Sequence, residues 1–304
     1  MRSRLLTTVV ALLAFGAACA HSEELTKLSV SYSATSDFMP TFIAKDTGIF
    51  EKHGLDVTLV NLATTSLGPP SLQAGSLQIA SISPALLLLA NDGGMDLVAV
   101  ANVAAMDARD PHSGFMTRPG FNPTKASDFI GKTIGRPGIN SAFDLLVKKW
   151  LLDRGVKLDQ VKIVETPFGQ MVDLLKAGQI DAAIAVEPLL TRVINSGSAQ
   201  RSIDFISEID PHIVAAIFGS TREWATANHA TLEKFRASVA EGMAFMKDHK
   251  AESDAISQKR LGLAGTPAAI SMDLKPSDFD IWISIAKELK LLQQPVDDKK
   301  LILN

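Results

Sequence analysis

Several small polar residues stand where an apolar run gives way to a helical pattern. Ser83 follows the apolar run of residues 77–82, and Asn140 and Ser141 come directly before the helical run of residues 142–153. The first turn of a helix leaves backbone N–H groups without partners and carries about half a positive charge. Such an end suits a carboxylate, a sulfonate or a nitrate. The alternative is that each residue only caps its own helix, and one side chain can do both.

Five other side chains could help to form the same kind of site. Ser36 and Asp37 precede a helical run and have the same two interpretations, although the charge of Asp37 would repel an anion. Arg136 leaves its strand towards the predicted site and could neutralise an anionic ligand, or it could simply be solvated. Phe38 and Phe168, on predicted loops at strand ends, could form pocket walls or take part in ordinary packing.

One stretch of the chain occurs twice and indicates how these residues are brought together. Residues 72–84 read LQAGSLQIASISP, and residues 175–188 read LKAGQIDAAIAVEP. In both copies Ala-Gly ends a helix, a short apolar run forms a buried strand, and a proline begins a new helix. Ligands of open α/β sheets bind at the carboxyl ends of strands, which here carry Ser83 and Glu187. Glu187 would disfavour an anion there, accept a hydrogen bond from an amine or hydroxyl, or pair with Arg136.

The remaining elements follow from hydrophobic period and turn residues. Further strands are predicted at residues 28–33, 55–60, 97–103, 132–136 and 161–165, and further helices at residues 41–51, 84–91, 142–153, 170–177 and 189–195. Gly48 interrupts the first of these helices. Asn102 is the one polar residue inside its strand and is a further candidate for ligand binding.

Two irregular stretches predict crossovers between two α/β lobes. Residues 105–123 form the first, with a short extended piece at residues 112–117, and a strand at residues 210–218 forms the return. Only helices follow, at residues 232–246 and 281–289, and they are expected to back the sheet of the first lobe. The predicted division is 1–20 for a signal peptide, 21–106 and 217–304 for the first lobe, and 107–216 for the second.

Composition and motifs favour binding over catalysis. The net charge of -3 and the sequence pI near 6.1 do not indicate the basic surface that nucleic-acid-binding proteins have. The sequence contains no nucleophile-elbow, phosphate-loop, dinucleotide-binding or zinc-protease motif. The six histidines are scattered, and none of them is spaced as a metal face on a helix. We therefore predict no catalytic residues, no metal and no cofactor.

The N-terminus has the pattern of a cleaved secretory signal. Arg2 and Arg4 precede an apolar run at residues 5–15, and small residues follow up to Ala20, after which cleavage is expected. The run is shorter than the roughly 20 residues that a membrane span needs. A lipid anchor on Cys19, the single cysteine, is the alternative. A periplasmic location is expected in either case.

Three segments of the chain resemble the substrate-binding proteins of ABC importers of the nitrate/sulfonate/taurine type. GIFEKHGLDV at residues 48–57 resembles one signature of that family, and GKTI at residues 131–134, followed by Pro-Gly, resembles the opening of its second lobe. LKAGQIDAAIAVEP at residues 175–188 resembles a third family segment. The resemblance implies the type II periplasmic-binding fold, an α/β fold in which two doubly wound lobes joined by two hinge crossovers close on a ligand.

The resemblance also implies a set of pocket residues. The family positions correspond here to residues 36–38, Thr65 and Ser66, residues 81–83 including Ser81, residues 138–141, residues 166–168 and Glu187. Val186 stands where many relatives have Trp, so the ligand of this chain need not be taurine or an alkanesulfonate. Binders of thiamine-precursor pyrimidines belong to the same family.

The expected function is therefore the capture of a small, anionic organic ligand for a membrane permease by a monomeric solute-binding protein. An enzyme on the same fold and a binder of a thiamine-precursor pyrimidine are the alternatives that the sequence leaves open. A sensor ectodomain is a third, although no spanning helix or signalling module follows residue 289 in this sequence.

Overall fold

The computed structural model describes residues 24–109, 112–263 and 271–303 of the chain. The predicted signal peptide, its cleavage site and Cys19 lie outside these residues. Among the described residues, none of the helices combines the length and the apolar character that a bilayer span requires.

The described residues form ten strands and eleven α-helices. The strands are β1 (Thr26–Tyr32), β2 (Leu55–Asn61), β3 (Ala80–Ile82), β4 (Leu97–Asp107), β5 (Ser113–Thr117), β6 (Thr133–Arg136), β7 (Lys162–Glu165), β8 (Ala182–Val186), β9 (Gln200–Arg201) and β10 (His212–Thr221). The helices are α1 (Met39–Asp46), α2 (Ile49–Lys52), α3 (Gly68–Gln73), α4 (Pro84–Asp92), α5 (Ala142–Asp153), α6 (Phe168–Lys176), α7 (Leu189–Asn195), α8 (Arg222–Ala227), α9 (His229–Asp248), α10 (Lys250–Leu261) and α11 (Asp280–Glu288). Short 3-10 turns lie at Ser36–Phe38, Thr65–Leu67, Ala126–Phe129, Leu158–Gln160, Pro276–Phe279 and Asp298–Lys300.

The strands form two groups of five with the same plan. In the first group β1 and β2 are parallel, β10 lies between β3 and β4, and a parallel bridge from Val30 to Ile79 links the two parts. The resulting order is β2-β1-β3-β10-β4. In the second group the order is β7-β6-β8-β5-β9, and β5 is antiparallel to β8. In each group, the fourth strand in this order follows a crossover from the other lobe and runs antiparallel to its neighbours.

The duplicated segment forms the predicted helix–strand–helix unit in both lobes. Gly75 (φ +71°) and Gly178 (φ +68°) take the left-handed conformation just beyond α3 and α6, where a side chain would be strained. Pro84 is the first residue of α4, as predicted, whereas Pro188 directly precedes α7. Gly48 (φ +77°) separates α1 from α2 and so ends the first helix early, as its position indicated.

The C-terminal helices differ from expectation in one respect. Helix α9 packs on α1 and backs the first lobe as predicted, but α11 contacts both α4 of the first lobe and α5 of the second. The buried indole of Trp282 in α11 donates a 2.8 Å hydrogen bond to the carbonyl of Val214 in β10. Lys149 of α5 pairs with Glu288 of α11 at 3.0 Å. The C-terminal segment therefore packs against the crossover as well as the first sheet.

Candidate functional site

A pocket lies between the two lobes at the carboxyl ends of their strands. Its volume is about 490 Å³, including the open mouth. Seven of the residues singled out by name from the sequence line it, namely Asp37, Phe38, Thr65, Ser81, Ser83, Ser141 and Phe168, and Ile82 comes from the predicted range 81–83. Its other lining residues are Ser33, Thr35, Ala104, Met106, Pro137, Ala142, Phe143, Val186, Ala215 and Ala216. Most of the wall is apolar, and both lobes contribute to it.

Ser83 is the N-cap of α4, and Ser141 is the N-cap of α5. Ser83 Oγ accepts a 3.1 Å hydrogen bond from the backbone N–H of Leu86, and Ser141 Oγ accepts one of 3.4 Å from that of Asp144. Each hydroxyl therefore uses its oxygen locally and keeps its own proton for another acceptor. The two interpretations made from the sequence, capping and ligand binding, are compatible here, because both hydroxyls line the pocket.

The turn after β1 places Asp37 and Phe38 in the wall of the pocket. Asp37 Oδ2 accepts a 3.2 Å hydrogen bond from Thr35 Oγ1, and Asp37 Oδ1 lies 3.6 Å from His112 Nε2. Burial raises the pKa of Asp37, while the nearby His112 and the Thr35 hydroxyl act to lower that pKa. Because 3.6 Å exceeds a normal hydrogen-bond length, His112 attracts the carboxylate without fully satisfying Oδ1.

Direct contacts join the lobes beside the pocket. The backbone N–H of Ser36 donates to the carbonyl of Glu187 at 3.0 Å, and Ser66 Oγ donates to Glu165 Oε1 at 3.0 Å. Gly138 of the second lobe lies so close to Thr65 of the first that a Cβ atom would come within 2.7 Å of Thr65 Oγ1. The first-lobe loops thus meet the second-lobe strand ends across the cleft.

Two charged residues that were candidates for the site have other partners. Arg136 is buried, and its Nε lies 2.7 Å from Asp144 Oδ1 and its Nη1 3.9 Å from Glu165 Oε2. Glu187 accepts hydrogen bonds from the backbone N–H and the hydroxyl of Thr191, at 3.1 and 3.0 Å, at the start of α7. Neither side chain lines the pocket, and the possible Arg136–Glu187 pair is replaced by these contacts.

The remaining candidates lie close to the pocket without lining it. Asn140 has φ +57°, and its backbone N–H donates to Asp144 Oδ2 at 2.8 Å. Asn102 is buried in β4, opposite Ile217 of β10, and Ser36 and Ser66 take part in the contacts between the lobes. Among the described residues, no group of three His, Cys, Asp or Glu side chains is arranged to hold a metal ion.

Sequence reasoning missed the part of the wall formed by the crossover strands. Ala104 and Met106 of β4 and Ala215 and Ala216 of β10 line the pocket, and no local pattern distinguishes them from other buried strand residues. Phe143 was also missed, although its place two residues after Ser141, in the first turn of α5, was an available signal.

A family model described as NMT1/THI5 like matches residues 35–253 of the chain. A binding protein of Brucella abortus (strain 2308) is 33% identical over 150 residues, which are 49% of this chain and 44% of that protein. The chain spans less than half the length of the curated relatives it matches.

Solved structures of similar fold cover nearly the whole chain. The alkanesulfonate-binding protein of Xanthomonas axonopodis pv. citri, bound to MOPS, has a TM-score of 0.79 at 17% identity, with 92% of this chain and 99% of that chain covered. The periplasmic nitrate-binding protein of Synechocystis PCC 6803 has a TM-score of 0.73 at 16% identity, with 91% and 84% covered. A desulfurization enzyme has a TM-score of 0.62 at 14% identity, with 91% and 96% covered. These matches confirm the predicted periplasmic-binding fold.

Proposed function

The chain belongs to the NMT1/THI5-like family, and from that premise we propose that it is the exported solute-binding protein of an ABC importer. It captures one small, anionic organic molecule between its lobes and delivers that molecule to permease subunits in the membrane. The proposed lobes are residues 21–106 with 217–304, and residues 107–216.

The observation that carries this proposal is the placement of Ser83 and Ser141. They cap helices from opposite lobes, and both line one pocket. A ligand oxygen that accepts from both hydroxyls interacts with two lobes at once, so it stabilises the closed arrangement over the open one. Closure that depends on the ligand is what a transport receptor needs in order to signal that it is loaded.

The pocket chemistry supports an organic anion with an apolar body. Phe38, Phe143 and Phe168 offer apolar surface to the body of such a ligand. The N-termini of α4 and α5 favour its anionic head, because each carries about half a positive charge. No Lys or Arg lines the pocket in the described part of the chain, so the head group would be held by hydroxyls and helix ends. This combination favours a carboxylate or a sulfonate over a bare nitrate ion.

We propose a periplasmic location with cleavage after Ala20, and a lipid anchor on Cys19 as the alternative. The two outcomes differ in the mass and the first residue of the mature protein. Mass spectrometry of the protein from periplasmic and membrane fractions distinguishes them. Cleavage after Ala20 gives a chain that begins at His21 and carries no lipid, whereas the anchored protein begins at a lipid-bearing Cys19.

Binding is tested by native mass spectrometry of the protein purified from its own cells, followed by a thermal-shift screen of carboxylates, sulfonates and nitrate. We expect a 1:1 adduct and a saturable rise in melting temperature with an organic acid. Ser83→Ala and Ser141→Ala should each weaken this response. Thr221→Ala is the matched control, since Thr221 caps α8 by accepting from Trp224 N–H at 3.2 Å and does not line the pocket. An equal loss of ligand response in all three variants would contradict the proposal.

An enzyme on the same fold is the second candidate. The fold match to a desulfurization enzyme and the Asp37–His112 pair beside the pocket favour it. The assay is incubation of the purified protein with the recovered ligand. Recovery of the ligand unchanged supports the receptor, whereas conversion that stops in Asp37→Asn supports the enzyme.

A further inference from the structure

Asp37 is the one ionisable side chain among the described residues that line the pocket. It is 7% exposed, and its two carboxylate oxygens differ in their surroundings. Oδ2 accepts from Thr35 Oγ1, whereas Oδ1 is buried with no hydrogen-bond donor in reach. His112 Nε2 lies 3.6 Å from Oδ1. A buried carboxylate that has one hydroxyl donor and one imidazole at 3.6 Å favours a ligand that brings a further donor to it.

From this geometry we infer that the ligand carries an N–H or O–H group that donates to the carboxylate of Asp37. The inference rests on the proposed function and narrows its ligand class. The ligand then has two functional ends, an acceptor head that meets the hydroxyls of Ser83 and Ser141 and a donor that meets Asp37. An apolar segment of the ligand lies between them, against the phenylalanine side chains of the pocket.

A ligand that offers only acceptors fits this site poorly. Its oxygens would face the carboxylate of Asp37 across an apolar pocket, where like charges are weakly screened. Unsubstituted alkanesulfonates and nitrate are ligands of this kind. An amine, an amide or a hydroxyl on the ligand removes this repulsion and gives the Asp37 carboxylate a further donor. Asp37 therefore acts as a residue that determines specificity.

Matched pairs of compounds test the inference directly. The first pair is 4-aminobenzoate and 4-methylbenzoate, and the second is 3-aminopropane-1-sulfonate and butane-1-sulfonate. Within each pair the shape and the acidic head are kept, and the donor is exchanged for a methyl group; in the second pair the donor is an ammonium group, so its positive charge is removed as well. Isothermal titration with the full chain gives the affinity ratio of each pair. We expect the donor-bearing member of at least one pair to bind about tenfold tighter or more, since the methyl analogue leaves the buried carboxylate oxygen unpaired.

Asp37→Asn should lower this ratio, because the amide has nearly the same shape but no charge, and its remaining carbonyl oxygen is a weaker acceptor than a carboxylate. Asp56→Asn is the control, since the Asp56 side chain is 48% exposed on β2 and remote from the pocket lining. The ratio is measured within each protein, so a general loss of affinity or stability does not imitate the effect.

The outcomes separate the two proposals. Binding of both members of each pair with equal affinity, or a ratio that is undiminished in Asp37→Asn, overturns the role of Asp37 and leaves the transport receptor intact. Tighter binding of the methyl analogues also overturns it, because apolar contact at that end of the ligand would then outweigh any hydrogen bond to Asp37. If none of the four compounds binds saturably and native mass spectrometry shows no adduct, both proposals are contradicted.

Discussion

Gly138 of the second lobe lies against Thr65 and Ser66 of the first, and an alanine there should hold the lobes apart. An added Cβ atom would lie 2.7 Å from Thr65 Oγ1 and 3.4 Å from the backbone nitrogen of Ser66. The φ of Gly138 is not in the left-handed region, so the backbone itself tolerates alanine. Overpacking of this kind costs about 1–3 kcal/mol. Since the contact joins two lobes, that cost falls on the closed state and corresponds to about a 5- to 150-fold shift in the closing equilibrium.

Energy transfer between two dyes measures the shift. Ser76 in the first lobe and Lys176 in the second are exposed and can be replaced by cysteine for labelling, in a chain in which Cys19 is serine. Gly138→Ala should lower the closed fraction and weaken the binding of the ligand recovered from cells by a similar factor. The melting temperature of the ligand-free protein should change little, because neither lobe's core is altered.

Two further variants make this test specific. Thr65→Ala in the Gly138→Ala background removes the atom that clashes and should restore closure. Gly169→Ala is the control, because a Cβ atom there would meet nothing within 4 Å and Gly169 lies in the first turn of α6. An unchanged closed fraction in Gly138→Ala, or an equal loss in Gly169→Ala, would refute the reasoning.

Three other predictions concern stability and can be checked by urea unfolding. Trp282→Phe leaves the carbonyl of Val214 without its 2.8 Å donor and should lower the free energy of unfolding by about 1–3 kcal/mol; an unchanged value would mean that water replaces the indole. Gly242→Ala places a Cβ atom 2.3 Å from the carbonyl oxygen of Pro40 and should destabilise the packing of α9 on α1 by about 1–3 kcal/mol, whereas a gain would show that helix propensity outweighs the clash. Burial raises the folded-state pKa of Asp37 above 3.8, so the contribution of this group to stability is full below that pH and is lost as the pH rises through the raised value. Asp37→Asn should therefore gain stability relative to the wild type as the pH rises above 3.8, and a flat difference would contradict the raised pKa.

The features that the sequence predicted well are local ones. The duplicated segment predicted two helix–strand–helix units. This worked because a helix end at Ala-Gly and a helix start at proline depend on the backbone conformation of only a few residues. Ser83 and Ser141 were found for the same reason, since an N-cap is recognised by its neighbours in the chain. Each of the two residues follows the carboxyl end of a strand, and both line the cleft between the lobes.

The features that were not predicted depend on contacts between distant parts of the chain. The sequence predicted that Arg136 could bind an anionic ligand. In the structure it pairs instead with Asp144, in the first turn of the following helix. Asp37 and His112 are 75 positions apart in the sequence, and only the crossover brings His112 beside the first-lobe loop. The packing of Trp282 on β10 likewise has no signature in the residues around it.

The central claim is that one ligand binds between the lobes and contacts Ser83 and Ser141 together. A crystal structure of the protein with the ligand recovered from its own cells tests this claim most directly. We predict electron density in the pocket, with ligand acceptor atoms within about 3.2 Å of both hydroxyls. Density in the surface groove beside Trp224, or against one lobe alone with the cleft empty, would contradict the account.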